Sequence, residues 1–145
     1  MVKATLAGSY PKPKYIYEGN ARDLIDKSGN NFYQQDDKHS RENMEKAVEE
    51  VVKDLNETDI DIVTDGEVQR DHYIHYHLRH WKGFDYENMG VKKLRGGSEW
   101  DERPVPRVIS EISCDPTYVV EDYKKASKYS KKPVKVNLPG TSTLM

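Results

Sequence analysis

The stretch Asp59-Ile60-Asp61-Ile62-Val63-Thr64-Asp65-Gly66-Glu67 decides how this chain folds. Ile60, Ile62 and Val63 read as a buried strand, and the polar residues after them read as the loop at its C-terminal end. Two carboxylates beside a glycine at that place are characteristic of α/β folds, whose loops converge on ligands at the C-terminal ends of parallel strands. The plainer alternative is a simple Asp65-Gly66 turn with Glu67 as a solvated acid.

Upstream of this stretch, Ser40 is placed to cap a helix. Met44, Ala47, Val48, Val51, Val52 and Leu55 then form one apolar stripe at helical spacing, so the helix packs one face on a sheet and ends near Asn56. Glu49 and Lys53 make a favourable i,i+4 pair on its outer face. Further back, Ala4 to Ala7 reads as a first short strand closed by Gly8-Ser9-Tyr10-Pro11. The segment from Pro11 to His39 is polar and turn-rich, with Asn20 able to cap a short helix through Asp26.

Downstream, a helix is expected over Arg70 to Trp81, with Ile74, Leu78 and Trp81 inward and Gly83 ending it. Phe84 to Ser113 reads as extended or looped, with a turn at Gly96-Gly97. Asp115-Pro116 signals a helix start, with Val119, Val120, Tyr123 and Ala126 expected inside. Pro133 leads into a third strand, Val134 to Leu138, followed by the loop Pro139-Gly140-Thr141-Ser142-Thr143. Strands alternating with helices imply a parallel sheet with helical crossovers. The glycine-bearing loops Gly8-Ser9, Asp65-Gly66-Glu67 and Gly140-Thr141 then share one end of that sheet. There, backbone and hydroxyl groups could hold an amino acid's carboxylate while Glu67 holds its ammonium.

The 145 residues fit one domain. A net charge of −2 and a pI near 6.2 make no case for nucleic acid. Lys124-Lys125 and Lys131-Lys132 read as solvated surface. A mean hydropathy of −0.94 suits either a small polar domain or a piece of something larger. Cys114 is the only cysteine, which leaves no internal disulfide and no Cys-rich metal cluster. No apolar run is long enough for a signal peptide or a membrane span, so a soluble cytoplasmic protein is expected.

Two other features could carry chemistry. His72, His75, His77 and His80 include i,i+3 pairs that metals use, but the pairs point in different directions. A polar-aromatic face lining a pocket or interface is preferred, with His77 a satisfied packing histidine. Cys114 has no partner base at a recognisable spacing and is expected to be a small buried hydrophobe.

Ala7-Gly8-Ser9-Tyr10-Pro11, Asp61 through Arg70, Arg103 to Ile109, and Pro133-Val134-Lys135 through Gly140-Thr141 resemble, in this order, four motifs of the catalytic barrel of cobalamin-independent methionine synthase. The resemblance runs nearly from end to end. It implies an α/β fold: a partial (β/α)8 TIM barrel holding about the first three strands with their helices and an extended insertion. Residues 1–145 would form a single, truncated barrel domain. By the same resemblance Ala7, Gly8, Ser9 and Glu67 bind homocysteine, with Glu67 on its amino group, and Arg103 is the candidate on the folate side. No residue is assigned to catalysis or to metal.

The family uses zinc and no cobalamin, and the zinc ligands of its complete members fall in later strands, beyond Met145. Asp65 stands where the methionine synthases themselves commonly have histidine. The activity implied is zinc-dependent methyl transfer from a methyl-folate-type donor to the thiol of homocysteine, with this chain incomplete as a catalyst. Two alternatives remain open: a non-catalytic remnant or assembly module keeping part of the amino-acid pocket, and another zinc thiol-alkyl transferase on the same fold. Three strands leave sheet edges unpaired, so a complementary barrel polypeptide or self-association is expected. No nucleic-acid or membrane partner is expected.

Overall fold

The computed structural model describes residues 2–16, 38–93 and 102–144. A 3₁₀ turn at Lys14–Ile16 is followed by helix α1 (Lys38–Asn56) and a one-turn helix α2 (His75–Arg79). Strands β1 (Trp81–Lys93) and β2 (Glu102–Cys114) come next, then α3 (Thr117–Tyr129) and a last turn of helix, α4 (Thr141–Leu144). The helix expected to end at Asp26 and the turn expected at Gly96-Gly97 lie outside the described residues.

The core is built on α1. All six residues of its predicted stripe are buried, as a one-faced amphipathic helix requires. Five of them, all but Met44, pack with Val63, Val68 and Ala126, and with Leu6, Tyr10, Ile60 and Val134 at the margin. The helix begins at Lys38, so Ser40 lies in its first turn rather than capping it. At its other end, Lys132 Nζ donates to the carbonyls of Leu55 (3.2 Å) and Thr58 (2.6 Å). A cation there meets the negative end of the helix dipole. The Glu49–Lys53 pair forms at 2.5 Å.

The three expected parallel strands pair as single bridges rather than ladders. Thr5 bridges Ile62 and Val63 bridges Val134, both parallel. Val63 N–H donates to Pro133 O and Lys135 N–H donates to Val63 O, each at 3.0 Å. The segments therefore run in the expected order and direction, with Ile62-Val63 in the middle.

The only extended sheet among the described residues lies where the sequence predicts extended or looped chain. β1 and β2 form an antiparallel hairpin, Trp81 opposite Cys114 and Lys93 opposite Glu102. Gly83, expected to end a helix, sits at a bulge in β1 with φ +96, where a Cβ would lie 2.8 Å from Glu111 O. Val91, Val108, Ile109 and Ile112 of the hairpin are exposed.

Two helix predictions are corrected. The helix expected over Arg70 to Trp81 is helical only at His75–Arg79, because the preceding residues form bends and turns. His72 Nδ1 accepts the backbone N–H groups of Ile74 (3.1 Å) and His75 (3.4 Å), a local bond that competes with helix formation. In α3 the inner face carries Asp122 and Ala126, whereas Val120 and Tyr123 are 46% and 47% exposed. A buried carboxylate occupies the stripe where apolar residues were expected, for reasons that lie in the site. Asp115 does start the helix, its Oδ1 accepting from Thr117 N–H at 3.0 Å.

Gly66 is the tightest point of the fold. It adopts φ +64, and a Cβ there would lie 2.7 Å from Val51 Cγ1 and 2.8 Å from Tyr10 Cβ. Gly66→Ala is expected to cost about 2–4 kcal/mol, combining left-handed strain with overpacking. Urea unfolding checks this, and a loss below about 0.5 kcal/mol, the scale of neutral surface changes, would refute it.

Candidate functional site

Both parallel bridges run toward the same end, and the loops that follow them meet there. Tyr10 N–H donates to Gly66 O at 2.9 Å, which ties the first loop to the second. Gly66 and Glu67 have consecutive positive φ angles, +64 and +53. Left-handed backbone is common for glycine and unusual for glutamate, so the turn is held by its surroundings. Thr64 Oγ1 accepts Gly66 N–H at 2.9 Å and Asp65 Oδ1 accepts Glu67 N–H at 3.2 Å.

This geometry turns the Glu67 side chain back over the first loop. Ser9 Oγ donates to Glu67 Oε2 at 2.7 Å. A Cβ on Gly8 would come within 3.3 Å of Glu67 Oε1, so the missing side chain leaves room for the carboxylate. Glu67 is 8% exposed, which excludes the plain alternative of a solvated acid. Lys12 Nζ lies below the turn and donates to the carbonyls of Glu67 (2.8 Å), Val68 (3.3 Å) and Arg70 (2.7 Å).

Sequence reading missed Arg70 as a site residue, although it stands in the same stretch. Its side chain is buried, with Nη1 3.6 Å from Glu67 Oε1 and Nη2 3.8 Å from Asp65 Oδ2. Nη1 also donates to Asn137 O at 2.8 Å, which joins the third loop to the second. A buried arginine facing two carboxylates sets an opposite charge against acids in a poorly solvated place. Asp65 nevertheless has its pKa raised, because burial outweighs the Arg70 charge.

Behind Arg70 lies a second polar layer. Tyr76 Oη donates to Asp122 at 2.9 Å, and Gln69 Nε2 donates to the same carboxylate at 3.2 Å. The Arg70 guanidinium sits 5.5 Å from the Tyr76 ring centroid. Asp122 is therefore inside because it anchors Tyr76 and Gln69. The sequence signal was its position four residues before Ala126 on one helical face.

The remaining predicted residues are dispersed. Ala7 is exposed beside Gly8. Gly140 and Thr141 are exposed, and a Cβ on Gly140 would meet nothing within 4 Å. Arg103 pairs with Lys92 near the end of the hairpin remote from the Trp81–Cys114 pair. Cys114 is exposed, not buried as expected, because it ends an edge of the hairpin rather than entering the core.

The histidines do not form a metal set. His75 Nδ1 faces Tyr86 Oη at 3.2 Å, His80 Nδ1 faces Tyr76 O at 2.8 Å, and His80 stacks on Tyr118. His77 is the packing histidine expected, with Nδ1 on Tyr118 Oη at 2.9 Å, but only half satisfied because its buried Nε2 has no hydrogen-bond partner. Among the described residues no three His, Cys, Asp or Glu side chains converge as metal ligands. Those residues therefore do not fit the zinc that the family resemblance implies. No helix among them is long and apolar enough to cross a membrane.

The family described as cobalamin-independent synthase, catalytic domain, matches residues 1–145. A methionine synthase of Saccharolobus solfataricus is 27% identical over 145 residues, which are 99% of this chain and 40% of that protein. A 5-methyltetrahydropteroyltriglutamate–homocysteine methyltransferase of Buchnera aphidicola is 31% identical over 102 residues, 70% of this chain and 13% of the relative. Among solved structures, a B12-independent methionine synthase from a Shewanella species, in complex with selenomethionine, superposes with a TM-score of 0.77 at 28% identity. That superposition covers 97% of this chain and 38% of that one. The chain thus spans less than half the length of these relatives.

Burial also sets the protonation of the aromatic layer. It pulls His75 and His77 down to about 4, with help from His72 and Arg79 on the first and from Arg70 and His80 on the second. A histidine whose folded pKa lies below its unfolded value is stabilising above pH ~6.5, and that stability is lost as pH falls through about 4. The raised pKa values of Asp65 and Asp122 act in the opposite sense. His77→Gln is therefore expected to reduce the loss of stability between pH ~6.5 and ~4 by up to about 3 kcal/mol. Urea titrations at each pH check this, and an unchanged slope would refute it.

Proposed function

The chain belongs to the cobalamin-independent methionine synthase family, and we propose that it forms the amino-acid-holding part of a thiol methyltransferase. The substrate class is a sulfur-bearing α-amino acid of the homocysteine type. The observation that carries this reading is the Glu67 carboxylate, turned by its left-handed backbone onto Ser9 beside Gly8. A buried carboxylate next to an open glycine and a serine hydroxyl suits an ammonium and a carboxylate one carbon apart. In this reading, the backbone of Ala7 and Gly8 and the Ser9 hydroxyl take the substrate carboxylate. Ser9 turns its hydroxyl from Glu67 to the ligand, which frees Oε2 to accept from the ammonium. The Arg70 guanidinium stays beside the carboxylate, 3.6 Å from Glu67 Oε1.

The parallel bridges are consistent with the opening of a (β/α)8 barrel, in which such loops line the working face. The methyl donor is read as folate-like, with Arg103 as the candidate on that side, and the setting as cytoplasmic. The described residues assemble no zinc site. That same observation favours a second reading, amino-acid binding without turnover by this chain alone, with a complementary barrel polypeptide or a second copy needed for methyl transfer.

Calorimetric titration of the chain with L-homocysteine and L-methionine tests the site. Glu67→Gln is expected to weaken binding about tenfold to a hundredfold, the worth of a hydrogen bond to a charged group, and Ser9→Ala about fivefold. Absence of binding, or equal affinity in Glu67→Gln, would sink the amino-acid reading.

A further inference from the structure

We propose that Lys12 is the positioning residue of this site, holding the Glu67 carboxylate in its ligand-ready direction by gathering the carbonyls of Glu67, Val68 and Arg70. The proposal rests on the reading of Glu67 as the amino-group ligand.

The geometry is specific. An ammonium offers three N–H donors, and three carbonyl oxygens of one turn lie 2.7 to 3.3 Å from Nζ. Those carbonyls follow a turn in which Gly66 and Glu67 take left-handed backbone angles. Left-handed backbone is unfavourable for glutamate, so something must hold it. Lys12 stands four residues beyond Gly8, on the same loop as Ser9 and Tyr10. Tyr10 N–H bonds Gly66 O at 2.9 Å. The two loops are thus fastened at Gly66, at the Glu67 side chain and at the carbonyls beneath it. Removing Lys12 would leave the side-chain contact in place while freeing the backbone that aims it.

The clamp can also be titrated. Burial brings Lys12 down to about 8, opposed by the charges of Glu67, Asp71 and Asp65 and aided by Arg70. A neutral amine has two N–H donors and must release one of the three carbonyls. Binding is then lost as pH rises through about 8. Stability runs the other way. A lysine with a depressed folded pKa adds stability as pH rises from about 8 toward its unfolded value near 10.5. Weaker binding with undiminished stability separates positioning from a merely structural role.

The test measures L-methionine affinity by calorimetry from pH ~7 to ~9.5, spanning that titration, in the wild-type chain, Lys12→Arg, Lys12→Met and Glu67→Gln. The ligand's own amino group titrates equally against every protein, so differences between proteins isolate Lys12. Lys12→Arg stays charged throughout. It is expected to bind within about threefold of wild type at pH ~7 and to lack the wild-type loss near pH ~8, while Lys12→Met binds at least about tenfold more weakly at pH ~7.

Loss of binding in Glu67→Gln together with wild-type binding in Lys12→Met would overturn the proposal and leave the amino-acid reading standing. Wild-type binding in Glu67→Gln would overturn that reading. Carbon NMR of the unmodified chain covers a variant that fails to fold. The Glu67 carboxyl resonance is expected to shift with the same midpoint as the Lys12 Cε. A Glu67 signal indifferent to that midpoint would overturn the proposal.

Discussion

The turn at Gly66-Glu67 is the constraint on which the rest of the site depends. Its backbone is left-handed at two successive residues, a conformation that no local preference of glutamate supplies. It persists because neighbours hold it from every side. Val51 of α1 and Tyr10 pack so closely on Gly66 that no Cβ fits. Tyr10 N–H and Lys12 Nζ occupy its carbonyls, and Thr64 and Asp65 receive its N–H groups. The hydrophobic core and the polar site are therefore mechanically continuous, since the helix that organises the core also presses on the glycine that aims the carboxylate.

Electrostatics divides the site into two layers with different duties. Near the loops, Arg70 stands within 4 Å of both Asp65 and Glu67. Burying three such groups is costly; opposite charge, the Glu67 N–H on Asp65 and the Asn137 carbonyl on Arg70 offset part of it, while Asp65 Oδ2 and Arg70 Nε and Nη2 have no hydrogen-bond partner among the described residues. Deeper in, Asp122 has its pKa raised by burial and is met by Tyr76 and Gln69. It serves α2 and the segment after the turn rather than a ligand. A carboxylate under an aromatic layer is a means of fixing the irregular chain between Glu67 and α2.

How much of this was legible in the sequence depended on whether the deciding physics was local. The α1 stripe was legible because six apolar side chains at helical spacing determine one face without reference to anything else. The direction and order of the three parallel segments were legible for a related reason, since short apolar runs alternated with helical ones. The hairpin was legible only as extended chain, without its pairing. Val91, Val108, Ile109 and Ile112 remain exposed, so no inside-outside alternation marked the strands, and Gly83 at a bulge resembled a helix stop. The helix before it failed because His72 caps backbone that a helix would have used. On α3, counting apolar residues chose Val120 and Tyr123, whereas the inward position belongs to Asp122, whose partners are more than forty residues away in sequence. In the site, Gly8, Ser9 and Glu67 were found through motif and glycine chemistry and do come together. Arg70 and Lys12 were passed over because their roles exist only once two distant loops meet.

The contacts that shape the candidate amino-acid site come from three short segments of this chain: the loop around Gly8 to Lys12, the turn from Thr64 to Arg70, and the carbonyl of Asn137. Each contact is a direct hydrogen bond or a close ion pair between described residues, and α1 backs the turn with buried apolar side chains. The grip on an amino acid's two charged groups can therefore be preformed by these parts alone. Chemistry at the sulfur differs in kind. It needs groups that polarise a thiol and present a methyl donor, and the histidines and the cysteine described are engaged with tyrosines, with backbone or with solvent. On the proposed reading, recognition of the amino acid falls to the loops braced here, and reaction at its sulfur calls on other groups.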